Sequence, residues 1–229
     1  MVKRLQLDNG LTILAEELHH APVVALQVWI KAGAADEEPR VSGIAHLHEH
    51  MLFKGTARRG VGEIARLIEA SGGEINAWTS FDETVYHVVL ASAELATGID
   101  VLADAVRNAA FDAQELAREI EVVQEEIRRD QDTPSRRVSH ALFELMYREH
   151  PYGRPILGTD RTVAAMRRDD LLAFFGEHYR PDNCVVVATG DFQTSVLFEQ
   201  LRMAFGDWPE YTLPKSWLKR NSFGYGSSH

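Results

Sequence analysis

The stretch Ser42-Gly-Ile-Ala-His46-Leu-His48-Glu49-His50-Met-Leu-Phe-Lys54-Gly55 decides how the rest of the chain is read. Ser42 offers a helix cap and Gly55 a stop, and Ile44, Leu47 and Met51 recur between them at helical spacing. Positions three and four apart share a helix face, so His46, Glu49 and His50 project the same way. Two imidazoles one turn apart can share one zinc ion. A carboxylate beside them can take a proton from water that the metal has acidified toward a pKa of ~7, while the metal polarises a carbonyl. The arrangement is H-x-x-E-H, the reverse of the commoner H-E-x-x-H helix. The plainer alternative is a solvated helix with clustered His and Glu. His48 lies two residues from each of the other histidines and points to the opposite face, so it reads as structural or exposed and not as a ligand.

Composition narrows the chemistry. The 229 residues carry 24 Lys and Arg against 34 Asp and Glu, a formal charge of −10. That balance argues against a nucleic-acid partner. The single cysteine, Cys184, excludes an intrachain disulfide and a Cys-rich metal site, which leaves His, Asp and Glu as donors. The N-terminus is charged and then alternating, with no apolar core of a signal peptide, and no run approaches the roughly 18 apolar residues of a membrane span. The expectation is a soluble, cytoplasmic protein with no membrane span.

Outward from the pentad, Arg4 to Leu14 alternates around Asn9-Gly10 as a hairpin, and Val23 to Ile30 reads as a buried strand. A second helix is expected over Val61 to Ala70, ended by Ser71-Gly72-Gly73. Glu74 to Ser80 and Thr84 to Ala91 alternate as two strands. Helices are predicted over Ala93 to Asn108, Asp112 to Gln131, Ser135 to Glu149, Thr162 to His178 and Thr194 to Phe205, with a strand at Cys184 to Thr189. Strands in pairs and helices in runs imply an α+β class. Past Trp208 the periodicity stops, so residues 209–229 read as a tail or truncated linker.

A catalytic zinc usually has three protein ligands and an open position. The helix from Asp112 offers Glu115, Glu119, Glu121, Glu125 and Glu126. Glu119 and Glu126, seven apart, share one stripe beside the apolar line Leu116, Ile120, Val123 and Ile127. Glu121 and Glu125 fall on other sides and read as solvated. Spacing leaves Glu119 and Glu126 equal.

Gly43 to Thr56 resembles the zinc-helix signature of the M16 metallopeptidases, the family of pitrilysin, insulin-degrading enzyme and the mitochondrial processing peptidases. Gly72 to Tyr86 is similar to that family's edge-strand motif, and Glu119-Ile-Glu-Val-Val-Gln-Glu-Glu126-Ile to its third-ligand helix. His150-Pro-Tyr-Gly-Arg-Pro-Ile-Leu-Gly-Thr159 and Tyr179-Arg-Pro-Asp-Asn183 resemble two later motifs, so the likeness spans about residues 4 to 208. The resemblance implies an M16-type domain over residues 1–208, a mostly antiparallel sheet covered by helices. It implies zinc held by His46, His50 and Glu126, Glu49 as the catalytic base, and Glu119 as a supporting carboxylate. It also implies Asn76 and Ala77 on a strand edge that receives the substrate backbone.

The implied reaction is hydrolysis of peptide bonds in extended peptides or precursor segments, with a peptide or unfolded polypeptide as substrate. The donor set would also accept manganese or cobalt. His48 departs from the family pattern, which carries an apolar residue there. Active family members pair this domain with a similar second one, which supplies an Arg and a Tyr to the substrate, so a second homologous domain or subunit is the expected partner. The alternative is a chain that binds zinc but is catalytically incomplete, or a structural or assembly subunit.

Overall fold

The computed structural model describes residues 1–209, and the remainder of the expected tail lies outside the described residues. Six strands form one sheet: β1 (Lys3–Gln6), β2 (Thr12–Glu17), β3 (Val23–Ile30), β4 (Glu74–Thr79), β5 (Thr84–Ala91) and β6 (Cys184–Gly190). Their spatial order is β1-β2-β6-β3-β5-β4. Only the β2–β6 pairing is parallel, so the sheet is mostly antiparallel, as the α+β reading required.

Alternation places Val24, Leu26, Val28 and Ile30 of β3 and Tyr86, Val88 and Leu90 of β5 on one buried face. Helices cover that face: α1 (Ile44–Leu52), α2 (Glu63–Ala70), α3 (Leu95–Asn108), α4 (Ala113–Gln131), α5 (Pro134–Tyr147), α6 (Asp160–Ala164), α7 (Arg168–His178) and α8 (Thr194–Phe205). The core runs through every one of these helices except α5, none of whose residues is buried. Trp78 and Val89, on the opposite face of the sheet, stay exposed. Among the described residues no helix is long and apolar enough to cross a membrane.

Three local expectations differ from the structure. Ser42 does not cap α1: its hydroxyl is buried without a partner among the described residues, and Gly43 occupies the cap position in the left-handed region at φ 96°. The helix expected over Thr162 to His178 is two helices. Arg167 is extended, and Asp170 Oδ2 accepts from its N–H at 2.9 Å, which starts α7 afresh. The second helix begins at Glu63 and not at Val61, because Gly62 before it is left-handed at φ 76°.

Gly43 has a further reason to be glycine. A Cβ there would lie 2.6 Å from the Leu157 carbonyl oxygen, because the start of α1 meets the backbone at Gly158. This close approach joins the metal-helix motif to the later His150–Thr159 motif. Gly43→Ala is expected to lower unfolding stability by about 2 kcal/mol or more, from the left-handed backbone and the overlap together. Urea unfolding checks this, and an unchanged midpoint would show that the junction yields.

Candidate metal centre

Helix α1 is short, and its first turn leaves backbone N–H groups with no partner inside the helix. Glu37, buried in the preceding segment, supplies the acceptors. Its Oε2 takes the Gly43 N–H at 2.8 Å and its Oε1 the Ala45 N–H at 2.9 Å. That segment is itself strapped to the turn after β4, where Ala34 and Ala35 donate to the carbonyls of Ser80 and Phe81 at 3.0 and 2.7 Å. Arg154 Nη2 closes the arrangement on the Glu37 carbonyl at 2.9 Å.

On the far side α1 packs against α4. Asp112 starts α4 by accepting from the N–H groups of Gln114 and Glu115, and Leu116, Val123 and Ile127 anchor its inner face in the core. The packing brings His46, His50 and Glu126 together, with one donor atom from each lying within 4.8 Å of the others. Glu126 Oε2 is 3.5 Å from His46 Nε2 and 3.7 Å from His50 Nε2. Donors around a tetrahedral zinc, with bonds near 2.0–2.1 Å, stand about 3.3 Å apart, close to the two Glu126 separations, and this His2Glu set matches the donor chemistry zinc takes.

Glu119 stands outside this trio. Its Oε2 meets His50 Nδ1 at 3.0 Å, and its Oε1 meets Lys54 Nζ at 2.7 Å. The two carboxylates that spacing left equal therefore address different nitrogens of the same ring. Glu121 and Glu125 are exposed.

Burial, with His50 adding, pushes the His46 pKa down to about 3, so its ring is neutral and free to donate a lone pair. Burial also opposes charge on His50, but the Glu119 bond and the carboxylates of Glu126 and Glu49 outweigh it and raise the pKa. Desolvation raises the Glu49 pKa, against the pull of a hydrogen bond from the Thr79 hydroxyl. His48 is fully buried, not exposed. Phe111, Phe174, Phe175 and Tyr179 surround it, the Tyr179 ring centroid at 4.3 Å, and neither ring nitrogen has a hydrogen-bond partner among the described residues. Burial pushes its pKa down to about 3, with His178 contributing, so it serves as a neutral core ring.

Glu49 and His46 open onto a cleft of about 900 Å³, walled by the end of β4 at Trp78, Thr79 and Phe81, by Arg136, His140 and Phe143 of α5, and by Arg154. Ring stacking of Phe81 on Phe143 and on Tyr152 ties these walls together. β4 is the edge strand of the sheet. The bond from Ser80 N–H to Glu83 O sets the phase of its ladder, so Trp78 and Asn76 face β5 while the N–H groups of Thr79 and Ala77 point outward. The Asn76 side-chain oxygen accepts the outward Ala77 N–H at 2.8 Å.

The sequence reading did not single out Thr79, Lys54 or Glu37. Thr79 and Lys54 lie inside motifs already quoted, and their parity and position were the available signal. Glu37 gave none, because its role depends on the fold of the turn between it and α1.

Similarity to known proteins places the chain in a family. The family model described as insulinase (peptidase family M16) matches residues 12–160, and the one described as peptidase M16 inactive domain matches residues 165–222. An uncharacterized zinc protease of Bacillus subtilis, YmxG, is 37% identical over 197 residues, covering 86% of this chain and 48% of that protein. One from Mycobacterium leprae is 34% identical, covering 90% of this chain and 46% of its own length. The chain therefore spans about half the length of the curated relatives it matches. A protease from Helicobacter pylori superposes with a TM-score of 0.90 at 28% identity, over 93% of this chain and 52% of that one. The periplasmic protease PqqL from Escherichia coli gives 0.85 at 28% identity, over 91% of this chain and 24% of its own.

The Glu37 carboxylate is the most consequential structural contact in this region. Glu37→Ala strands two buried N–H groups and is expected to cost about 2 kcal/mol or more of stability. Thermal or urea unfolding measures it, and a loss below about 0.5 kcal/mol would mean that water replaces the carboxylate.

Proposed function

The chain belongs to peptidase family M16, and from that membership we propose that it is the metal-bearing domain, residues 1–208, of a zinc endopeptidase acting on extended peptides or precursor segments. The observation that carries this reading is the convergence of His46, His50 and Glu126 beside Glu49, on a cleft bordered by a free strand edge. The printed names of the relatives, zinc proteases, support the metal.

In this reading His46 and His50 hold zinc through their Nε2 atoms, and Glu126 holds it through a carboxylate oxygen. Zinc bound there supplies Lewis acidity toward the scissile carbonyl and makes water more acidic. Glu49 takes the proton from the attacking water and passes it to the leaving amine. Burial raises its pKa above the ordinary carboxylate value, which makes it a stronger proton acceptor. Thr79 keeps the Glu49 carboxylate turned toward the end of β4. An extended substrate lies along β4, where its carbonyl replaces the Asn76 side chain on the Ala77 N–H. Main-chain pairing of this kind tolerates varied side chains, so selectivity falls to the cleft walls.

Because the chain spans about half the length of its curated relatives, a second homologous domain or subunit completes the enzyme in this proposal. The same observation favours a second reading, a zinc-binding chain that is catalytically incomplete alone or serves as a structural or assembly subunit.

His46→Ala is expected to abolish binding of about one zinc per chain, read by metal analysis after dialysis, and unchanged metal content would defeat the ligand assignment. Glu49→Gln is expected to keep the metal while lowering cleavage of an unstructured peptide at least roughly a hundredfold. A variant that cleaves as fast as the parent would remove Glu49 from the mechanism. Running the same assay with and without a candidate second domain separates a complete enzyme, a half-enzyme and an inactive subunit.

A further inference from the structure

We propose that Lys54 is a positioning residue for zinc binding, holding the Glu119 carboxylate against His50 so that the imidazole presents Nε2 to the metal. The inference rests on the reading of His50 as a ligand and extends it to a residue that does not touch the metal.

Lys54 lies two residues beyond the end of α1, where its N–H bonds the Met51 carbonyl at 3.1 Å and turns the chain. The turn sends its side chain back across to α4. There Nζ lies 2.7 Å from Glu119 Oε1, while Oε2 of the same carboxylate lies 3.0 Å from His50 Nδ1. One carboxylate thus bridges an ammonium and an imidazole, with one oxygen committed to each. The Glu119 side chain is only 7% exposed, so water contributes little to holding it.

Charge explains why a cation is needed at this point. Glu49, Glu119 and Glu126 crowd one pair of imidazoles, and like charges in a partly desolvated site repel strongly. A divalent ion between His46, His50 and Glu126 offsets two of the three negative charges. Lys54 offsets the third. Among the described ion pairs it is the only Lys or Arg on any of these three carboxylates. Without it Glu119 is a buried carboxylate with only His50 to bind, free to rotate about its own side chain. His50 then loses the contact that fixes its ring. Partners of metal ligands typically contribute 10–100-fold to metal affinity by this route.

The test is zinc affinity of the whole chain, measured by competition with a chromophoric chelator. Lys54→Met is expected to weaken zinc binding roughly 10–100-fold, and Lys54→Arg to restore most of the loss, because a cation of similar reach is enough. On a Glu119→Gln background, Lys54→Met is expected to add less than about twofold, since its effect passes through that carboxylate. Melting of the zinc-free proteins controls for folding, and Lys54→Gln replaces the methionine variant under the same criteria should that one fail to fold. Affinity within about twofold of the parent for the uncharged variant overturns the proposal, as does an undiminished loss on the Glu119→Gln background. A parent chain that binds no zinc overturns the metal-site reading and this inference with it. A zinc-binding parent matched by Lys54→Met overturns this inference alone.

Discussion

The Glu37 carboxylate accepts from the N–H groups of Gly43 and Ala45, and through them it fixes where α1 begins. Nothing else could do this locally. Gly43 has no side chain, and the Ser42 hydroxyl is buried without a partner among the described residues. Helix α1 is nine residues long, too short to hold a direction by its own hydrogen bonds. Its site-facing histidines, His46 and His50, keep their orientation because one end is clamped by Glu37 and the flank is pressed on α4. The strap from Ala34 and Ala35 to Ser80 and Phe81 extends the same clamp to the end of β4. Helix α1, edge strand and cleft wall are thus referred to one point.

On this frame the site gathers groups that would avoid one another in solution. Glu49, Glu119 and Glu126 share a small volume with two imidazoles, and each carboxylate is managed differently. Glu119 is kept ionised, its pKa lowered by His50 and Lys54 despite burial. Glu49 is held by a neutral hydroxyl and sits higher. Glu126 stays partly exposed, at 35%, and points between the two histidines. His50 has a partner on its outer nitrogen, whereas His46 Nδ1 is buried with none among the described residues. The two rings are therefore unequal: one is tuned by an acid behind it, and the other depends on packing alone.

Much of this was legible in the sequence for a simple reason. Helical spacing of three and four residues is a local property, so His46, Glu49 and His50 share a face whatever surrounds them. β-Branched and aromatic content marked β3, and alternation marked β5, whereas the mostly antiparallel sheet came from the resemblance to M16 domains. Where two partners are distant in the chain, spacing fell silent. It could not separate Glu119 from Glu126, because both lie on one stripe of α4 and differ only in which nitrogen of His50 they approach. It placed His48 on the far face of α1 but not what covers that face, four aromatic rings drawn mainly from α7 and its end. The break between α6 and α7 contains no Gly or Pro. It comes from Asp170 folding back on Arg167, a choice that propensity does not register.

The folded-back side chain of Asn76 has a consequence for how the molecule behaves in a crowded solution. A sheet edge with outward N–H groups is a template for any extended chain, including another copy's own edge. Most proteins blunt such edges permanently with bulges, prolines or charge. Here Asn76 occupies the Ala77 donor with an oxygen from the adjacent residue, a stopper that one rotamer change withdraws. Under the proposed reading, a segment that brings several main-chain bonds at once displaces that single bond. A larger or covalently fixed guard would protect against aggregation equally well, but it would close the strand to every visitor.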